Sequence, residues 1–409
     1  NQARNASFQA EGQSERDKAR TTSARRREDL GICLEKDDKA HRVMLQQLRA
    51  KLADFQYESD GVLFELFQNA DDAVVELGRC EALGGDDIEV PAPARRFVLD
   101  VEGRCVRTLH WGRMINYRGP HGLSDRWAGF GDDLEKMLIL SASDKPADES
   151  VTGRFGLGFK SVFLVCDKPC FISGDLQVEI RGGILPVLWR DTAKAVSLLE
   201  QETRDPHHRG TLLELPLADG VGNELVHRFA RNAGLVTVFA RAIRRIELRQ
   251  DGTSESFDWS PIIPFNGIEI GESVVSTKPP QMLKLMVIRT PDGSVAIRLG
   301  VHGCGLMMGD IVPIWVTIPT RESETIGFVI NGPFQIDAGR GQLAGNQSVN
   351  QQKMQAIGRE VGDRLSLLLE GYDDTLIWNT RREELGLVKE CTPAQFWTSV
   401  WHTLGKRTL

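Results

Sequence analysis

Little in this sequence points toward membranes, metals or nucleic acid. No run of about 18 apolar residues occurs, so no membrane-spanning helix is expected. No charged-then-apolar leader opens the chain, so no secretion signal is expected. Met is missing from the first position, and the sequence reads as a piece of a longer protein. The seven cysteines are scattered. Cys166 and Cys170 are the closest pair, and no second pair completes a zinc pattern, so reduced thiols in a cytoplasm are the plain reading. The formal charge is -7, whereas a dominant nucleic-acid binder is usually basic. The concentrated basic run, Arg20 to Arg27, can touch phosphates but reads as a solvated arm.

What is present is an ordinary soluble composition. Hydrophobic residues are 41% and charged residues 26% of 409, enough apolar material for two or three domains. Residues 1–38 are polar and read as a charged arm. Residues 39–255 read as a first domain. Met44, Leu48, Leu52 and Phe55 recur at helical spacing, a second helix is expected from about Gly61 to Gly78, and Phe97 to Leu109 reads as a β-hairpin turning at Glu102-Gly103. Residues 113–152 are Gly-rich and lid-like, with one helix expected near Asp133 to Leu140. Strands are expected near Phe171, Val178 and Leu212 to Leu215, then a helix over Asn223 to Ala240. The polar stretch Asp251 to Ser260 looks like a boundary. A smaller α+β domain follows over 256–372, and 373–409 reads as a helical tail. The fold class expected is α+β, with helices on one face of a mixed sheet.

Two motifs carry chemistry. In GVLFELFQNADDAVVELG, Glu65, Asn69 and Asp72 share one helical face, while Leu63, Phe67, Ala70 and Val74 form the apolar stripe. A carboxylate beside an amide suits a hydrated magnesium ion and proton abstraction from water. Taken alone, that helix also reads as a solvated polar face. In VTGRFGLGFKSVFLV, Gly153, Gly156 and Gly158 let backbone N–H groups approach phosphates, and a following helix adds its positive end. The spacing is neither a Walker loop nor a Rossmann fingerprint.

Together, in this order with a lid between, the motifs resemble the GHKL ATPases with the Bergerat fold. ELFQNADDA is similar to their E-x-x-x-N-x-x-D-A helix. GRFGLGFKSVF resembles the lid hinge of HtpG-type heat-shock chaperones and of sacsin-like proteins. RGTLLELPL resembles the later strand whose Thr, here Thr211, supports the base pocket. The resemblance covers about residues 40 to 250. It implies ATP and Mg2+ as ligands, Glu65 as general base, Asn69 as magnesium ligand, and Asp72 with Ala73 at the nucleotide end of the helix. Gly153, Arg154, Phe155, Gly156, Leu157, Gly158 and Phe159 would wrap the phosphates through their main chain. Lys160 is either a phosphate contact or a surface lysine. The family places an Asp-x-Gly after the hairpin, with Asp accepting the adenine amino group. Here the segment is LHWGRMIN, with His110 in place of Asp, Gly112 kept, and Met114 beside the pocket wall or core. A neutral imidazole cannot duplicate a carboxylate, which puts adenine selectivity in doubt.

The second domain resembles the transducer domain of the same ATPases. Its segment FQIDAGRGQL offers Arg340 as a basic residue for the terminal phosphate. The resemblance implies an ATP-driven conformational switch that hydrolyses ATP, with homodimerisation on ATP binding, chaperone-like output or a role in anti-phage defence. Two other classes stay open: a nucleotide-binding module with negligible hydrolysis, and a MutL-like DNA-transaction ATPase.

Overall fold

The computed structural model describes residue 32 and residues 38–81, 94–116, 133–138, 158–204, 209–265, 267–275, 281–307, 311–322, 326–336, 343 and 347–405. Gly153, Arg154, Phe155, Gly156, Leu157, Arg340 and most of the 113–152 stretch lie outside these residues.

Two helices open the described chain. In α1 (Asp38–Asp54), Leu45, Leu48 and Leu52 are buried. Leu45 rather than Met44 takes the inward position, although both fit the same 3.6-residue period. In α2 (Val62–Glu81), Leu63, Phe67, Ala70 and Val74 are buried as the periodicity requires. The hairpin is β1 (Arg96–Glu102) and β2 (Cys105–His110), paired antiparallel with Glu102 opposite Cys105 at the turn.

These strands sit inside an eight-stranded sheet. It adds β3 (Cys170–Ser173), β4 (Leu176–Arg181), β5 (Leu185–Leu188), β6 (Thr211–Pro216), β7 (Arg245–Gln250) and β8 (Thr253–Asp258), in the order β5-β4-β3-β6-β2-β1-β7-β8. β1 and β7 are parallel and the other neighbours antiparallel, so the sheet is mixed. Alternation assigns its faces. Phe97 packs on Phe67 of α2 and on Phe229 of α5 (Glu224–Phe239), with ring centroids 5.3 and 6.1 Å apart. That face is the helix side. On the other face a short helix, α4 (Ala193–Glu202), ends at Glu202, which pairs with Arg96 and Arg249. The chain before it contributes α3 (Asp133–Leu138).

The polar stretch Asp251 to Ser260 lies at the edge of the first sheet, just before the second sheet begins. It forms the turn and outer strand of the β7–β8 hairpin, and five of the six β8 residues are exposed. An edge strand with an open face is polar for the same reason a linker is, since neither buries its side chains.

A second sheet begins at Ile262. It comprises β9 (Ile262–Phe265), β10 (Ile268–Val275), β11 (Gln281–Thr290), β12 (Gly293–Gly300), β13 (Gly303–Gly305), β14 (Ile314–Val316), β15 (Ile318–Pro319) and β16 (Val329–Asn331), ordered β15-β14-β16-β12-β11-β10-β9 with β13 on β12. Helices α6 (Gln347–Leu369), α7 (Thr375–Leu385) and α8 (Pro393–Leu404) complete it. Asp374 caps α7, and Thr392 with Gln395 forms a capping box on α8, each satisfying N–H groups that a helix start leaves without partners. The two units meet on α5. Phe239 lies 5.3 Å from the Trp315 ring, and Arg289 donates to the Val238 carbonyl at 2.6 Å. Burying these apolar rings stabilises the junction by roughly 25 cal/mol per Å² removed from water.

Candidate functional site

The polar face of α2 is not uniform. Glu65 is buried, Asn69 exposed and Asp72 half-buried. Glu65 meets the end of the Gly-rich motif: a Cβ on Gly158 would lie 2.9 Å from Glu65 Oε2. The Gly158 backbone thus lies directly against that carboxylate. Beyond Gly158 the chain forms a six-residue 3-10 turn, Phe159–Leu164, where an α-helix was expected. Its Val162 and Phe163 are buried, and Ser161 Oγ donates to the Gly158 carbonyl at 2.7 Å. Tight burial of successive residues favours the short turn over a longer amphipathic helix.

Lys160 lies on this turn and is wholly buried. Its Nζ donates to the Leu138 carbonyl at the end of α3 (2.8 Å) and to the Gly183 carbonyl (3.4 Å). Burial, and secondarily Lys51, lowers its pKa to about 8. The two carbonyls offset part of that cost by solvating the ammonium. The side chain thus ties α3 to the β4–β5 turn.

The far end of α2 meets the exit of β2. Arg113 N–H donates to the Ala73 carbonyl at 2.8 Å, and a Cβ on Gly112 would fall 2.6 Å from the Ala73 carbonyl carbon and the Val74 nitrogen. Only glycine permits that approach. Arg113 pairs with Glu76 (2.7 Å) and Asp133 (2.6 Å), so it clamps the segment to both α2 and α3. Met114 is half-buried with its sulfur beside Gly174.

On the helix side of the sheet, register sets three polar residues in a row. His110 pairs with Thr211 and Thr211 with Ser173. The two hydroxyls are 2.7 Å apart, and Ser173 Oγ accepts the Ile115 N–H at 2.9 Å. His110 Nδ1 accepts the Gly112 N–H at 3.3 Å. Burial, and secondarily Arg113, pushes the imidazole pKa down to about 4, so it is neutral near pH 7.

Sequence reasoning missed four participants. Asp71 is fully buried and accepts the Arg241, Ala242 and Ile243 N–H groups at 2.8, 2.9 and 2.8 Å. Asp72 pairs with the Arg241 side chain. Its pKa is raised, chiefly by burial, with Arg241 opposing. Ser173 becomes visible only once the strands are registered. Arg113 carried no signal beyond its position after Gly112. Arg321, in the second unit, pairs with Glu58 and with Asp60 (2.9 Å) just before α2. Its neighbour Glu322 accepts the Leu343 N–H at 3.0 Å, and Leu343 bridges Ile336. The bridged pair Ile336 and Leu343 is thereby linked to the start of α2, and Arg340, between them in sequence, is outside the described residues. A separate open cleft of about 1640 Å³ is lined by Cys170, Glu179, Trp189 and Glu214 among others, and among the described residues none of the expected site residues borders it.

The comparisons bear on this arrangement. The sacsin domain family model matches residues 92–181, from the approach to β1 through β4. Human sacsin is 32% identical over 119 residues, 29% of this chain and 2% of sacsin. The chaperone protein HtpG of Mycobacterium tuberculosis H37Rv is 28% identical over 163 residues, 39% of this chain and 24% of HtpG. The HtpG of Mycobacterium bovis AF2122/97 matches to the same extent. Over these stretches the chain is related to sacsin and to the HtpG-type chaperones. The matched stretch covers about a quarter of HtpG and a far smaller part of sacsin. The α+β architecture, a large mixed sheet with packed helices and a second unit, agrees with that relationship. Among the described residues, no helix is long and apolar enough to cross a membrane.

Proposed function

We propose that this chain binds Mg-ATP between α2 and the His110–Thr211–Ser173 row and hydrolyses it as a cytoplasmic conformational switch. One observation carries the reading: the Gly158 backbone closes on Glu65, one helical turn from the exposed amide of Asn69. A buried carboxylate is a proton acceptor matched to water, and an exposed amide oxygen on the same face fits a magnesium ion that keeps most of its waters. Bound magnesium would neutralise charge on the phosphates. Glu65 takes the proton of the attacking water. Gly158 and Phe159, with the preceding Gly153, Arg154, Phe155, Gly156 and Leu157, present main-chain N–H groups to phosphate. Ala73 and Gly112 set the distance between helix and sheet, and Arg340 brings a cation from the second unit. Arg321 and Glu322 make that contribution depend on how the two units dock. Homodimerisation on ATP binding and a chaperone-like or defence output belong to the same proposal.

Binding without turnover is the second reading, favoured by His110 standing where the resembled family has Asp. Calorimetric titration separates ATP binding from its absence: Asn69→Ala should weaken Mg-ATP by at least about tenfold while leaving magnesium-free ATP nearly unchanged. Equal losses with and without magnesium would refute the metal-ligand role.

A further inference from the structure

The three-residue row on the sheet has a hydrogen-bonding capacity that can be counted. His110, Thr211 and Ser173 are cross-strand neighbours on the face that carries Phe97, and Phe97 packs on α2. His110 Nδ1 is already an acceptor, for the Gly112 N–H. A neutral imidazole that accepts at one nitrogen carries its proton on the other, so Nε2 is a donor. No hydrogen bond from a described residue takes up that Nε2. The hydroxyls behave differently. They share one hydrogen bond, and Ser173 Oγ also accepts from Ile115. Whichever of the two donates, one O–H and two oxygen lone pairs remain between them. The hydroxyl part of the row can give or take, whereas the His110 part can only give.

A base edge laid along this row must therefore place an acceptor against His110. Guanine and hypoxanthine do so with the 6-oxo oxygen, and their N1–H then meets a hydroxyl lone pair. Adenine in the same register would set its exocyclic N–H against the Nε2–H, donor against donor. It would have to slide so that a ring nitrogen accepts instead. We propose that the base subsite of this protein does not select adenine by its amino group, and takes 6-oxopurine nucleoside triphosphates at least as well as ATP. The proposal rests on the nucleotide reading above and names the base that the pocket admits.

The test is a set of calorimetric titrations of wild type with Mg-ATP, Mg-GTP, Mg-ITP and inorganic tripolyphosphate. GTP and ITP should bind with Kd equal to or below that of ATP. His110→Asp replaces the donor by an acceptor and should move the GTP-to-ATP affinity ratio toward ATP by about tenfold or more, the worth of one mismatched buried hydrogen bond. His110→Gln, whose amide can give or take, should bring the ratio near unity and serves where the carboxylate prevents folding. Wild type that favours ATP tenfold, or a ratio that is the same in wild type and both variants, overturns the inference and leaves the nucleotide reading intact. Wild type that binds none of the four overturns the nucleotide reading and this inference with it.

Discussion

The two halves of α2 carry similar polar side chains and use them differently. In the C-terminal half, Asp71 holds three backbone N–H groups of the α5–β7 connection, Asp72 pairs with Arg241 and Glu76 with Arg113. These acids hold the fold together. In the N-terminal half, Glu65 is buried against the Gly158 backbone and Asn69 is exposed to solvent. Asp71 satisfies backbone donors within the fold, while Glu65 lies against a glycine turn on the same face as an exposed amide. Residue type does not separate the two uses, because Glu65 and Glu76 are glutamates on the same helix.

The largest expected effect comes from Asp71→Ala. Three buried N–H groups lose their acceptor, so urea unfolding should show a loss of about 3 to 5 kcal/mol. Glu65→Gln should stay within about 1 kcal/mol of wild type. Equal losses would erase the distinction between the halves.

Two glycines sharpen it further. Gly112→Ala drives a Cβ into the α2 backbone, which cannot yield, and should cost about 1 to 3 kcal/mol in thermal unfolding. Gly158→Ala meets only the end of the Glu65 side chain. Its stability should change by less than about 1 kcal/mol, with the loss appearing in turnover instead.

His110 gives a pH-dependent effect. Its folded pKa of about 4 lies below the ordinary value of 6.5. The unfolded chain therefore binds the extra proton between those values, and stability falls as pH drops from 6.5 toward 4. The loss should reach about 2 to 3 kcal/mol, and His110→Gln should flatten that limb of the stability profile. The smallest effect belongs to Arg321→Ala. Its partners are partly exposed, so the change should be about 0.5 to 1 kcal/mol and should shrink in high salt.

Elements with strong periodicity were legible in the sequence. The apolar stripe of α2, the hairpin from Phe97 to Leu109 and the long helix of α5 are fixed by local pattern, and the structure has all three. Features set by tertiary pairing were not. Nothing in the sequence marks Ser173 as the neighbour of Thr211 before β3 is placed beside β6. The polar stretch read as a boundary shows itself as the edge strand β8 only once β7 is beside it. The helix α4 goes unnamed because Glu202 acquires its role only through Arg96 and Arg249, far away in the chain. Lys160 follows a glycine motif, and only the folded chain shows its ammonium taken by the Leu138 and Gly183 carbonyls.

The most direct test of the central claim is phosphate release from saturating Mg-ATP by wild type and Glu65→Ala, each with its measured nucleotide Kd. The expected result is a Kd within about threefold of wild type and turnover reduced by about 100-fold or more, as for loss of a positioned general base. Turnover by Glu65→Ala equal to wild type would contradict the assignment of Glu65 as the base.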